Sequence, residues 1–201
     1  MPPVRSLSEL DPNKIYTYAD YVSWQLTEWV ELIRGRVRQM AGTSIKHNRI
    51  ARFLERRIDN FLGDGPCEMF HPATDVRLET ANPNGNGVIT TVVQPDIFVN
   101  CDRARMSDKS CVGPPEWIIE IVSPSNAHRD VREKFGIYEE AGVGEYWMVY
   151  PNEELVSIYV RHPETGRYQS VGDFAGSGRI PCYTLPELII MWESVFPPSR
   201  A

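Results

Sequence analysis

The stretch EWIIEIVSPSNAHRDVREKFGIYEEAGVGEYWMVYP, residues 116–151, decides the fold. Trp117, Ile118, Ile119, Ile121 and Val122 make a nearly continuous apolar run of strand length, the pattern of a strand covered on both faces. PSN then caps a helix whose apolar stripe is Val131, Phe135 and Tyr138 and which Gly142 ends. EYWMVYP returns to strand. Strand, helix and strand in that order read as a crossover unit with a parallel pair. One residue breaks the pattern. Glu120 stands inside the apolar strand, where a carboxylate is costly unless something satisfies it.

Outward from this unit the chain alternates in the same way. TYADYVSWQLTE (17–28) reads as a short helix capped by Thr17, and WVELIRGRVRQM (29–40) as a hairpin turning at Arg34-Gly35. Ile50, Phe53, Leu54, Arg57, Ile58, Phe61 and Leu62 keep the helical period up to Gly63, with Thr43 or Ser44 as N-cap. CEMFH and TDVRLE read as two strands, residues 80–87 as an Asn- and Gly-rich loop, and VVQPDIFVN (92–100) as one further strand. Downstream, LVSIYVRHPETGRYQSV is strand with a turn at Glu164-Thr165-Gly166, and YTLPELIIMWESVFP gives a last short helix or extended edge. The expectation is a mixed α/β chain around one central sheet, residues 1–201 forming a single domain.

The chain has 201 residues, 42% of them hydrophobic, enough for a substantial core. No apolar run reaches the length of a membrane span, and the first residues lack the apolar region of a secretory signal, so a cytoplasmic location is expected. Cys67, Cys101, Cys111 and Cys182 form no C-x-x-C pair and have no His at zinc spacing, which argues against zinc and for scattered, reduced thiols. The net charge of −6 excludes a protein that coats nucleic acid by charge alone, although a local basic face can coexist with an acidic whole. Most basic residues are arginine; the lysines are Lys14, Lys46, Lys109 and Lys134.

Three acids stand in apolar surroundings: Glu31 in WVELI, Asp96 in VVQPDIFV, and Glu120. Each has an ordinary reading. Glu31 could face solvent from a half-exposed hairpin, Asp96 could cap a turn after Pro95, and Glu120 could pair with an arginine. The functional reading is convergence on one divalent cation, since clustered carboxylates need protons or metal between them. With no His cluster, Mg²⁺ or Mn²⁺ suits such oxygen ligands better than zinc.

Pro95-Asp96 followed by Glu120-Ile121-Val122 resembles the PD-(D/E)XK nuclease superfamily, except that Val122 stands where the superfamily has its lysine. VELIRGRVRQMAGTSIKHNRI, VQPDIFVNCD and IIEIVSPSNAHRDVREKFGIYEEAGVGEYWMVYP together resemble the Uma-type, restriction-endonuclease-like family from about Thr17 to Pro151. The resemblance implies a restriction-endonuclease-like central mixed sheet flanked by helices. It also implies metal-dependent hydrolysis of DNA phosphodiester bonds and, by analogy, a homodimer. It assigns the metal to Asp96, Glu120 and the Ile121 backbone carbonyl, and makes Glu31 part of the catalytic set. It moves the missing lysine to Lys134, on the helix after the second acid. His47 matches a histidine that opens the preceding helix and is carried as a supporting or substrate contact.

Lys134 lies three residues after Val131 and four before Tyr138, at the border of the apolar stripe, so its stem can lie along the sheet and extend its ammonium toward the strand ends. The plain alternative is a surface pair with Asp130. Arg129 and Arg132 on the same helix fit a solvated face better than a DNA contact. Two rival functions stay open. One is a catalytically silent binding module that keeps the nuclease fold. The other is a structural homodimer whose acids make internal ion pairs. The apolar LIIMW in the C-terminal stretch is a candidate contact between copies, and core packing explains it equally well.

Overall fold

The structure is a computed structural model that describes residues 3–40, 42–79, 88–123 and 127–198, with the backbone alone at 127–131. The expected loop at 80–87, the PSN cap and the side chains of Arg129, Asp130 and Val131 lie outside the described residues. In chain order come α1 (Tyr18–Tyr21), β1 (Val30–Ile33), β2 (Arg36–Gln39), α2 (Ile45–Leu62), β3 (Glu68–Phe70), β4 (Asp75–Leu78), β5 (Thr91–Val93) and β6 (Ile97–Asn100). There follow β7 (Ser110–Val112), β8 (Trp117–Ile121), α3 (Ala127–Ala141), β9 (Glu145–Tyr150), β10 (Leu155–Arg161), β11 (Tyr168–Ala175), β12 (Arg179–Ile180), β13 (Ile190–Met191) and α4 (Trp192–Val195).

A six-stranded mixed sheet, ordered β11-β10-β9-β8-β6-β3, is the centre. β8 and β9 pair parallel, from Trp117 opposite Glu145 to Ile121 opposite Val149, and α3 is the crossover between them. The other neighbours in this sheet are antiparallel. Alternation along the strands sends their side chains to two different cores. Ile97, Val99, Trp117, Ile119, Ile121, Trp147 and Val149 pack with Ile50, Leu54 and Ile58 of α2 and with the C-terminal segment. Phe98, Ile118, Tyr146 and Met148 pack on the other face with Ile137 and Tyr138 of α3 and with Ile33, Val76 and Val93 of a second sheet. That second sheet is five-stranded, ordered β2-β1-β5-β4-β7. The position of Glu120 follows from this alternation: it shares the face of Ile118, which α3 covers.

The Arg34-Gly35 hairpin forms as expected between β1 and β2. Both turn residues have positive φ, +48° and +78°, as a type I′ turn requires. Gly35 also lies so close to Ile15 that a Cβ would fall 2.4 Å from its Cγ2, so the turn admits no larger residue. Of the two caps foreseen for α2, Ser44 is the one used, its hydroxyl accepting from the His47 amide at 3.1 Å.

Two expectations need correction. VVQPDIFVN is not one strand. β5 belongs to the five-stranded sheet and β6 to the six-stranded one, and Gln94-Pro95-Asp96 makes the step between them. Pro95 has no amide hydrogen to donate to a ladder, which breaks the pairing there. The cysteines are not all reduced thiols: Cys67 and Cys101 form a disulfide, while Cys111 and Cys182 are free and buried. The bridged pair directly extends the β3–β6 ladder, whose last partners are Glu68 and Asn100, so the sheet itself brings the two sulfurs together.

The C-terminal segment is held by one buried carboxylate. Glu145, 1% exposed, accepts from Trp147 Nε1 at 2.7 Å and from the amides of Tyr183 at 3.0 Å and Thr184 at 2.5 Å. Four donors of this kind satisfy a charge that would otherwise be costly to bury, counting the weak Cys182 thiol at 3.8 Å. In the expected LIIMW contact, Leu188 and Ile190 are core residues, and Ile189 and Met191 are exposed.

Candidate active site

The acids, the lysine and the histidine singled out from the sequence line one cavity of about 400 Å³ between the two sheets and α3: Glu31, His47, Asp96, Glu120 and Lys134, with Arg38 at its side. Each arrives for a local reason. β1 pairs with β2 on one side and β5 on the other, so the alternation of its side chains places Glu31 opposite Leu32 in direction. Leu32 faces the outer core with Tyr16 and Val92; Glu31 faces inward and is 6% exposed. The reading of Glu31 as a solvent-facing residue is thereby excluded.

Lys134 turns into the cavity, its side chain 14% exposed. Its ammonium donates to Oε1 of Glu31 and to Oε1 of Glu120, at 2.9 Å each. One turn further along α3, Tyr138 donates its hydroxyl to the same oxygen of Glu120 at 2.6 Å. Residues four apart on a helix share a face, so one strip of α3 supplies both donors. Tyr138 is the residue the sequence reading used only for packing. Its spacing from Lys134 was the available signal. Among the described residues, no donor meets Oε2 of Glu120.

Asp96 sits on the step between the sheets. Its Oδ2 accepts from the Ile121 amide at 2.7 Å, and its Oδ1 lies 3.2 Å from Nε2 of His47. The two acid-bearing segments are therefore tied directly: the carboxylate of one is fixed by the backbone that follows Glu120 in the other. Glu31 has a comparable tie, accepting from the Gln94 amide at 2.9 Å. The side chain of Gln94 continues outward, donating to Oδ1 of Asp75 at 2.9 Å, an atom that also accepts from the Tyr21 hydroxyl at 3.0 Å. Thus Gln94 and Asp96, one on each side of Pro95, anchor the two halves of the site.

Burial is the largest influence on Glu120, Lys134, His47 and Tyr138. It pushes Glu120 up to about 7, aided by the negative charges of Asp96 and Glu31 and opposed by Lys134 and the Tyr138 hydroxyl. Burial works against the charge of Lys134, but Glu120 and Glu31 outweigh it and hold the ammonium protonated. Burial likewise opposes the charge of His47, and the Asp96 hydrogen bond and charge, the Ile121 backbone and the Glu120 charge overcome it, raising its pKa. Tyr138 is raised well above its usual value by burial and by the two glutamates, so its hydroxyl stays a donor.

Among the described residues, no three His, Cys, Asp or Glu side chains stand together as metal ligands. The set that fits a cation is smaller. Asp96, Glu120 and Ile121 line the same cavity, and they offer two carboxylates and a backbone carbonyl, hard oxygen donors of the kind Mg²⁺ and Mn²⁺ accept alongside water. Glu31 is engaged by Lys134 and Gln94 and stands outside that set.

No described helix is long and apolar enough to cross a membrane. The chain is similar to two uncharacterised proteins of Synechocystis sp. strain PCC 6803. One is 32% identical over 166 residues, 80% of this chain and 84% of that protein. The other is 24% identical over 148 residues, 72% and 74% of the two chains. The crystal structure of a protein from Anabaena variabilis, described as "a putative nuclease belonging to DUF820", superposes with a TM-score of 0.71 at 19% identity, covering 90% of this chain and 97% of that one. That likeness shows a shared fold, the mixed α/β architecture expected from the sequence. Residues 18–192 match the family Uma2, described as "Putative restriction endonuclease", and the chain belongs to that family.

Proposed function

We propose that the protein is a metal-dependent endonuclease that hydrolyses DNA phosphodiester bonds. One observation carries the reading: Lys134, from the helix after the second acid, reaches the cavity shared by Asp96 and Glu120, the place the absent lysine at position 122 would have served. Family membership supports it.

In this reading Asp96, Glu120 and the Ile121 carbonyl hold Mg²⁺ or Mn²⁺. Such an ion polarises the phosphate and lowers the pKa of bound water. The chain's own residues do the positioning. The Ile121 amide and His47 fix the two oxygens of Asp96. Tyr138 and Lys134 fix Oε1 of Glu120. The Lys134 ammonium supplies positive charge where the pentacoordinate phosphate gains negative charge. Glu31 holds Lys134 from the opposite side. Cutting both strands of a duplex needs two such sites, which two copies of the chain would supply.

The test is cleavage of supercoiled plasmid with Mg²⁺ or Mn²⁺. Nicked and linear products that vanish with EDTA and with Asp96→Ala support the reading, and equal cutting by wild type and Asp96→Ala sinks it. One observation favours a second reading, a silent binding module: Lys134 already bridges the carboxylates of Glu31 and Glu120. Calorimetric titration with Mn²⁺ separates the two, since a silent site shows no binding that depends on Glu120.

A further inference from the structure

The net charge of the chain is −6, yet the outer face of α2 inverts it. Between Ile45 and Leu62 the helix carries Lys46, Arg49, Arg52, Arg56 and Arg57 against only Glu55 and Asp59. Its buried side is Ile50, Leu54 and Ile58, with His47 reaching the candidate active site. At 100° per residue, Arg49, Arg52 and Arg56 fall within a narrow sector on the opposite side, and all three are exposed. Spacings of three and four place like charges next to one another, which disfavours the helix and needs another reason to be there. Among the described residues none of the three has a carboxylate in ion-pair range, whereas Lys46 is paired with Glu154 at 3.3 Å.

These residues line a groove of about 720 Å³. Lys46, Arg49, Arg52 and Arg56 form one wall; Phe53, Pro197 and Pro198 give it apolar surface over the buried Val195 and Phe196, and Glu154 is its one acid. Lys46 of the groove and His47 of the cavity shared by Asp96 and Glu120 are consecutive residues of α2. Arginine, with a planar fork and a permanent charge, is the side chain suited to phosphate oxygens, and flat apolar surface beside a row of cations suits bases or sugars along a strand.

We infer that the Arg49-Arg52-Arg56 groove is a phosphate track that holds the backbone of a nucleic acid strand leading to the cavity of Asp96 and Glu120. The inference rests on the proposed nuclease reading for what the strand is brought to, and on the groove alone for its binding. An acidic whole with one cationic groove would repel nucleic acid elsewhere and admit it along this path. Because the contacts are to phosphate, they carry no base preference.

The test is anisotropy titration of the full chain in EDTA with labelled duplex and single-stranded DNA of unrelated sequences, repeated across salt concentrations. The triple variant Arg49→Gln, Arg52→Gln, Arg56→Gln is expected to bind at least ~10-fold more weakly on every sequence and to lower the slope of log K against log salt by about 2 to 3. Should the triple variant lose its helical circular dichroism, the single variant Arg52→Gln decides, with an expected slope change of about 1. Wild-type slope and affinity in the folded variant overturn the inference. So does an equal arginine-dependent affinity for polyglutamate, which would mark the groove as an acidic-peptide surface. The two readings fail separately. Loss of DNA by the triple variant, together with unimpaired cutting by Asp96→Ala, removes the nuclease reading and keeps the track. Metal-dependent cutting abolished by Asp96→Ala, with wild-type binding by the triple variant, does the reverse.

Discussion

Lys134 and Glu120 meet at 2.9 Å although a strand end and the first turns of a helix separate them, because the crossover that joins β8 to β9 folds α3 back over the strand it has just left. The same fold-back brings Tyr138 to the same oxygen. Glu120 is thus satisfied by its own crossover helix. Removing Lys134 leaves two buried carboxylates facing each other without a cation. Lys134→Met is expected to cost about 3–5 kcal/mol at pH 8, the range for breaking one side of a buried ion pair. At pH 5 the loss is smaller, because Glu120, already raised to about 7 in the wild type, takes up a proton in place of the ammonium. Thermal unfolding at the two pH values checks both the loss and its pH dependence.

The imidazole of His47 predicts a pH-dependent stability in metal-free protein. Its folded pKa is raised above 6.5 by Asp96, the Ile121 backbone and Glu120, despite burial. A raised histidine contributes stability that is complete below pH 6.5 and is lost as pH rises through its folded pKa. Glu120 acts in the same direction over a lower window: its folded form keeps a proton between 4.5 and about 7 that the unfolded form has released. The melting temperature in EDTA should therefore fall as pH rises from 6 to 8. His47→Asn should flatten that decline; a variant that falls as steeply as wild type contradicts it.

Tyr138→Phe removes one hydroxyl and no packing volume. The hydrogen bond to a carboxylate is expected to be worth about 1.5–3 kcal/mol in stability. If Glu120 holds a metal, losing the donor that orients it should also lower Mn²⁺ affinity or cleavage rate by about 10- to 100-fold. Chemical denaturation and Mn²⁺ titration of the same preparation report the two effects independently.

Glu145→Ala strands the indole of Trp147 and the amides of Tyr183 and Thr184 at once. Each unsatisfied buried donor costs about 1–3 kcal/mol, so the C-terminal segment is expected to loosen before the sheet does. Limited proteolysis should then cut near Tyr183 while hydrogen exchange in β8 and β9 remains slow.

The disulfide between Cys67 and Cys101 spans 34 residues. A loop of that length predicts about 3–4 kcal/mol of stabilisation over the reduced chain. Thiol titration of unfolded, unreduced protein should count two free thiols, Cys111 and Cys182, and reduction should raise the count to four.

Much of this architecture was legible from patterning. The apolar run around Glu120, the stripe of α3 and the punctuation at Gly142 fixed the parallel pair, because burial on both faces leaves a strand few alternatives. Lys134 was legible through its place beside the stripe together with the family resemblance. The break at Pro95 was not, since VVQPDIFVN has the composition of a single strand, and only the missing amide of proline hints that the ladder changes partner. Tyr138 was hidden for a related reason: an aromatic on a buried stripe looks like packing, and its hydroxyl partner lies on a different element. The Cys67–Cys101 bridge was illegible because it depends on which strands become neighbours, and spacing does not encode that.

The three-residue step Gln94-Pro95-Asp96 has a mechanical consequence. Glu31 belongs to one sheet, Glu120 to the other, and the step that joins the sheets carries an anchor for each side. A sliding of one sheet over the other would change the separation of Glu31 from Glu120 while leaving each sheet's ladders intact, and Lys134, which bonds to both, would resist it. The lysine is then a latch across a shear plane.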